Sequence, residues 1–197
     1  MIHGRPSPLR PAILQAVLAI ASEEGWHSLT MRKIAERIRY SPPMIYAVFD
    51  SKEAICAELV AEGYQLLYRR LSAAAAGLTD PARRLRALLR AYREFAWEHP
   101  AYYQAMYGLA ATGAKAGAPA SRTDYAGACL GLLGDALLQG SLERSSCPLA
   151  PLQAARALLA AAHGVIALHL AGLAGSQDEA NTLYEAVLSG LLAGWGL

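Results

Sequence analysis

Apolar residues recur along most of this chain at spacings of three and four. That period predicts helices, and almost nothing reads as strand. Ile13, Val17 and Ile20 share one face of a first helix from about Pro11 to Glu24, closed by Gly25 as a helix stop. A second helix follows Thr30, a good N-cap, and carries Ile34, Ala35 and Ile38 on one face. A short third begins after Ser41. A fourth runs from Asp50 towards Leu71, where Asp50-Ser51-Lys52-Glu53 has the form of a capping box with Asp50 as N-cap. After the break "GLTDP", a helix carries Leu85, Leu88, Leu89, Tyr92 and Ala96 on one face and Arg86, Arg90 and Arg93 opposite, read as a solvated stripe. Another helix starts at Pro100, where Pro suits the first turn. "TGAKAGAPAS" reads as a flexible loop by composition, Ser121 and Asp124 as caps of the next helix, and "SSCPLAP" as a second break. The last two helices run from about Pro151 to Ala171 and from Ser176 to Ala193, the latter opened by a Ser176/Glu179 capping box. The expectation is an all-α fold of about nine helices, with no internal repeat.

The stretch "LTMRKIAERIRYSPPMIYAVFDSKEAI", Leu29 to Ile55, is the most informative. With Ser41 as N-cap, Pro42 and Pro43 take the first two helical positions, where an N–H has no intrahelical acceptor to lose. The connection "RYS" is short, so the third helix crosses the second sharply, as in a helix-turn-helix. Ile45 and Phe49, four apart, face inward onto Ile34 and Ile38, which leaves Pro43, Met44, Tyr46 and Ala47 outward. A short helix offering its first turn in this way is shaped for a DNA major groove. Between Thr30 and Lys52 the cations Arg32, Lys33, Arg37, Arg39 and Lys52 stand against Glu36 and Asp50, a local +3 in a chain whose whole charge is +2. Lys52 sits at a helix start, where backbone N–H groups also favour a phosphate. Arg39 ends the second helix at a turn position that usually wants positive φ, so it is either strained or held in a different turn.

Composition bounds the rest. With 197 residues, 54% of them hydrophobic, the chain can bury a sizeable core and is not disordered. Cys56, Cys129 and Cys147 are far apart, odd in number and without metal spacing, so they read as buried or incidental thiols. Arg5, Arg10 and "PAILQAVLAIAS" imitate a signal peptide, but Gln15 interrupts the apolar run and its periodicity is helical. "ALLAAAHGVIALHLAGLAGSQ", from Ala157 to Gln177, approaches the length of a membrane span. Its histidines, glycines and alanines suit a buried helix in a soluble assembly better, so no membrane is expected.

The segment from Leu29 to Ile55 resembles the DNA-binding domain of TetR-family transcriptional regulators, which commonly shows Leu-Thr, a short helix with Ile-Ala, a Tyr-x-x-Phe recognition helix and a Lys-Glu start to helix 4. The match covers about residues 10 to 60. It implies an N-terminal three-helix DNA-binding domain (residues 1–55) and a variable helical ligand-binding and dimerisation domain (residues 56–197). It also implies a cytoplasmic homodimer on a near-palindromic double-stranded operator, acting as a repressor that a small apolar effector releases. By the same resemblance Thr30, Tyr46 and Lys52 hold phosphates, Arg32 reads a guanine, and Pro43 and Met44 pack on base edges or sugar. The residues themselves add Ser41, Ala47 and Arg39, whose reach at the turn extends to a phosphate, to the DNA-facing set. The sequence departs from the family at Arg39, in the usual Gly position, and at Ala47 and Val48, often larger or polar. Few polar base readers remain on the third helix, so specificity leans on Arg32, thymine methyl contacts and DNA shape. "AYREFAWEHPAYYQAMY" and "AAAHGVIALHLAG" resemble a C-terminal subtype with a His-Gly motif, here His163-Gly164.

Beyond Leu71 no catalytic spacing, phosphate loop or metal pair appears, so neither enzyme chemistry, nor a cofactor, nor a metal is expected. Tyr92, Phe95, Trp97, Tyr103, Met106 and Tyr107, with His163, are either core or the lining of an apolar effector pocket. The uncharged helices "AAAHGVIALHLAG" and "EAVLSGLLAGW" suggest a dimer interface at Ala162, Ile166, His169, Leu188 and Leu192. Two other classes stay open: a DNA-binding regulator controlled by a partner protein, and a helical enzyme.

Overall fold

A computed structural model of the chain describes residues 8–108, 120–144 and 147–197, without the side chains of 120–124 and 141–144. Arg5, most of "TGAKAGAPAS", the caps expected at Ser121 and Asp124, and the start of "SSCPLAP" lie outside the described residues. Among the described residues there are nine α-helices and no strand: α1 (Leu9–Glu24), α2 (Met31–Ile38), α3 (Pro42–Tyr46), α4 (Lys52–Ala75), α5 (Pro81–Glu98), α6 (Pro100–Met106), α7 (Ala120–Arg144), α8 (Pro151–Leu170) and α9 (Gln177–Gly194), with a 3₁₀ turn at Trp26–Ser28. The all-α expectation is met. Contacts group residues 1–63 with 99–122 and residues 64–98 with 123–197. α4 is thus shared between the two units, and α6 belongs with the first.

In the first unit, Ile13, Val17 and Ile20 of α1 are buried as their spacing requires, beside Ile34 and Ala35 of α2, Ile45 of α3 and Ile55 and Leu59 of α4. α6 packs on α4 at Gly63, so closely that a Cβ there would stand 2.7 Å from Met106 Sδ and 3.2 Å from the Tyr102 ring. Gly25 ends α1 with φ +82°, a conformation that costs any residue with a Cβ.

In the second unit, Leu85, Leu88, Leu89, Tyr92 and Ala96 of α5 are buried, and Asp80 accepts the Arg83 N–H at 2.7 Å to cap the helix. α8 packs on α9 and α5; Leu158, Ala162 and Ile166 of α8 and Tyr184, Leu188 and Leu192 of α9 are buried. The buried Tyr184 hydroxyl donates to the Leu89 carbonyl at 2.7 Å. Ser176 and Glu179 form the expected capping box. Arg93 leaves the solvated stripe: it pairs with Glu185 at 2.6 Å and lies over the Tyr184 ring. Burial pushes the Cys56 thiol up to about 11 and Cys129 up to about 12, so both stay protonated at neutral pH. Among the described residues α8 alone is long and apolar enough to cross a membrane by length and composition, with 33% of its most apolar window buried in the protomer.

Candidate nucleic-acid interface

Local capping builds the α2–α3 turn. The Thr30 hydroxyl accepts the Lys33 N–H at 3.1 Å and starts α2. At the other end the Tyr40 N–H reaches the Ala35 carbonyl at 2.9 Å and the Arg39 N–H reaches Glu36 at 3.2 Å, the paired bonds of a Schellman ending. Arg39 holds the left-handed position, φ 59° and ψ 41°, alone among non-glycine described residues in having positive φ. Of the two readings of Arg39, the structure takes the strained one. An L-residue there costs about 1 kcal/mol or more. Arg39→Gly should therefore raise the melting temperature by about 2–4 °C in a chain of this length. If Arg39 also meets a phosphate, the same change weakens operator binding and lowers the salt slope by about 0.9 per protomer. Unchanged affinity at every salt concentration removes the phosphate role, and a lowered melting temperature removes the strain.

Ser41 has the extended N-cap backbone of α3, but its side chain caps nothing. The reason is local: Pro42 and Pro43 have no N–H to offer, and the Met44 N–H is bonded to the Ser41 carbonyl at 3.0 Å. Ile45 is wholly buried and Phe49 nearly so, while Met44 is 44% and Tyr46 53% exposed; Pro43 and Ala47 are exposed beside them. The start of α4 differs from expectation. Ser51, not Asp50, is the N-cap: its hydroxyl accepts the Ala54 N–H at 3.1 Å. That places Glu53 at the second helical position, not the third, so no capping box forms. Glu53 instead accepts from its own N–H and from Ser51, which lowers its pKa. Lys52 becomes the first residue of α4.

The fold changes the charge picture. Lys33 pairs with Glu24 and Arg37 with Glu23, both at the end of α1. Counting those two glutamates with the segment takes its +3 to +1. Arg32, 85% exposed, pairs with Glu36 at 2.7 Å one turn along α2, which raises its pKa through that hydrogen bond. Among the described residues no carboxylate pairs with Arg39 or Lys52. These two cations flank α3 in sequence, and Pro43, Met44, Tyr46 and Ala47 lie between them.

The aromatic candidates divide between the units. Tyr92 and Phe95 are buried in the second, where Trp97 donates to Asn181 at 2.9 Å and meets His169 edge-on at 4.6 Å. His163 there is half-buried, and desolvation lowers its pKa. Tyr103 and Met106 are buried in the first unit, with the Tyr107 ring centred 4.7 Å from that of Tyr103 and tilted 39° to it. None of them lines either of two cavities: one of about 100 Å³ beside Arg86, Arg90 and Ser189, the other of about 250 Å³ beside Arg10, Leu14, Glu58 and Tyr102. Both fall below the volume usual for small-molecule pockets, about 300 Å³ and upward. Among the described residues no cluster of three His, Cys, Asp or Glu is placed to hold a metal.

Of the residues expected at a dimer interface, Ala162, Ile166, Leu188 and Leu192 are buried within the protomer, and His169 meets Trp97. The exposed stripe of α8 is instead Leu152, Arg156, Ala160, Gly164 and Leu168; on α9 it is Leu183, Ala186, Gly190 and Ala193. A Cβ added at Gly164 or Gly190 would meet nothing within 4 Å. Sequence periodicity carried this stripe at every fourth residue, but α8 is apolar on most sides and the pattern does not say which side is free.

Residues 13–59 match the family described as bacterial regulatory proteins, tetR family. Residues 85–191, more than half of the chain, match the tetracyclin repressor-like C-terminal domain. The uncharacterized HTH-type transcriptional regulator YobS of Bacillus subtilis (strain 168) is 29% identical over 93 residues, 47% of this chain and 48% of that protein, so the match spans about half of each. The fold is shared with a protein of unknown function from Rhodococcus sp. RHA1 (TM-score 0.79, 20% identity, 100% of both chains). It is shared too with the transcriptional regulator FadR from Bacillus subtilis in complex with stearoyl-CoA (TM-score 0.72, 16% identity, 93% of this chain and 98% of that one). Two matches in the family's own order, a helix-turn-helix followed by the C-terminal domain, cover most of the helices described above, and the chain accordingly belongs to the TetR family of bacterial transcriptional regulators.

Proposed function

We propose that this TetR-family regulator is a cytoplasmic homodimeric repressor that binds a near-palindromic operator and is released by a small apolar effector. The observation that carries the DNA contact is α3 itself: two apolar anchors turned in, Pro43, Met44, Tyr46 and Ala47 turned out, and the cations Arg39 and Lys52, which no carboxylate pairs among the described residues, on either side of it in sequence. In this reading residues 1–55 bind DNA and residues 56–197 sense and dimerise. A two-fold dimer would present two copies of α3 about 34–36 Å apart or a multiple of it. Thr30, Tyr46 and Lys52 hold phosphates, and Arg32 leaves Glu36 to read a guanine.

Selection from random duplexes tests the reading directly and should enrich a near-palindrome. On that operator, Tyr46→Phe and Lys52→Ala should weaken specific and random DNA alike, with a smaller salt slope for Lys52→Ala. Arg32→Ala should cost about tenfold or more at one base position. Equal loss on specific and random DNA would remove Arg32 as a reader.

For the effector, the aromatic residues of the second unit (Tyr92, Phe95 and Trp97, with His163) are the proposed lining. The His163-Gly164 pair supports the His-Gly subtype. The FadR relative holds stearoyl-CoA, which supports a lipophilic effector class for this fold. α4 contributes residues to both units and is the proposed lever. A ligand shifts the protein off DNA only by binding the released state more tightly. Titrating lipophilic compounds into the protein–operator complex checks this: release by none of the compounds that bind favours the second reading, a regulator governed by a partner protein.

A further inference from the structure

We propose that α3 reads the 5-methyl groups of pyrimidines in its operator, and that it treats 5-methylcytosine as it treats thymine. The inference rests on the DNA-binding reading above and names what that surface recognises. Burial of Ile45 and Phe49 fixes how α3 is rotated. Met44 and Ala47, three apart, and Pro43 and Ala47, four apart, therefore share the outward side, and what they present is a thioether chain, a methyl group and a pyrrolidine ring. None of these donates or accepts a normal hydrogen bond.

The backbone does not fill the gap. Pro42 and Pro43 carry no N–H, and the Met44 N–H is held by the Ser41 carbonyl at 3.0 Å. The first turn of this recognition helix thus has no free amide to offer a base or a phosphate. In the major groove a thymine shows O4 and a 5-methyl group, while a cytosine shows an N4 amino donor. A face without donors or acceptors leaves O4 and N4 alike unread. What it can gain is the burial of a methyl group against Met44 and Ala47, the same whether the methyl sits on thymine or on cytosine. Hydrogen-bonding readout is left to Arg32 on α2; Tyr46, also outward, is the phosphate contact of the reading above.

Four duplexes test this at each thymine of an operator obtained by selection: T·A, deoxyuridine·A, 5-methylcytosine·G and C·G. Burying one methyl group is worth about fourfold in affinity. At one or more positions of the half-site, deoxyuridine should bind about fourfold more weakly than thymine. At the same positions 5-methylcytosine should bind more tightly than cytosine by a similar factor. Met44→Ala, an exposed site that leaves the core intact, should bring the thymine and deoxyuridine duplexes together, while Tyr46→Phe should preserve their ratio. Deoxyuridine equal to thymine throughout the half-site overturns the proposal, as does a full thymine preference surviving in Met44→Ala. Failure of selection to enrich any motif overturns the operator reading and this inference with it; an enriched motif indifferent to its methyl groups overturns this inference alone.

Discussion

Ile45→Ala should detach α3 and sharply weaken operator binding in a chain that is otherwise folded. α3 has five residues, far too few to hold a helix in water by themselves. What holds it are the Schellman turn before it and two side chains, Ile45 and Phe49, both buried. Truncating a buried Ile to Ala costs about 2–5 kcal/mol. Much of that loss falls on the docking of one short helix, which can open locally while the rest stays closed. Operator affinity should then fall by about thirtyfold or more, since 1.4 kcal/mol is a factor of ten. The far-UV circular dichroism should barely move, because five residues carry little of the helical signal. Hydrogen exchange should show early loss of protection confined to the amides of residues 44–49. If Ile45→Ala instead lowers the global melting temperature and binds normally below it, α3 does not open separately and this account of its anchoring is wrong.

Gly164→Arg should give a folded monomer that has lost operator affinity. Gly164 lies in the exposed stripe of α8, in line with Ala160 and Leu168, and no atom waits within 4 Å for a Cβ there. The protomer loses nothing to the substitution, and replacing Gly in a helix interior gains roughly 0.5–1 kcal/mol. A bulky cation between Ala160 and Leu168 is a different matter for a second copy packed against it there, which would have to bury an unpaired charge. Sedimentation should show monomers. Operator affinity should drop by about a hundredfold or more, because the second half-site no longer benefits from the effective concentration of a linked partner. Ala162→Arg and Leu188→Arg, on the inward face, should instead unfold the protomer, since both side chains are buried within it. A Gly164→Arg protein that stays dimeric and binds its operator as before would place the interface on another surface.

Elements set by neighbours in the chain were legible in the sequence. Thr30 and the Ser176/Glu179 box need only residues three positions on, and the inward turn of Ile45 and Phe49 follows from helical spacing alone. The α4 start shows where local reading thins out. Asp50 and Ser51 are both competent caps, adjacent in sequence, and only the path the chain takes from the buried Phe49 to the buried Ile55 selected Ser51.

Charge pairing and helix exposure were decided by tertiary structure, because both depend on what comes to lie beside a residue from elsewhere. The +3 around the turn is a property of a sequence window, yet Glu23 and Glu24, on the preceding helix, take up Arg37 and Lys33 and leave Arg39 and Lys52 as the cations of that window with no carboxylate partner among the described residues. Arg39 has positive φ because the α2–α3 crossing demands it, at a cost that no propensity scale assigns to arginine at that place. α8 is apolar on nearly every side, so its sequence promises burial without saying which side. Packing within the second unit buries Ala162 and Ile166, and the stripe through Gly164 is what that packing leaves exposed.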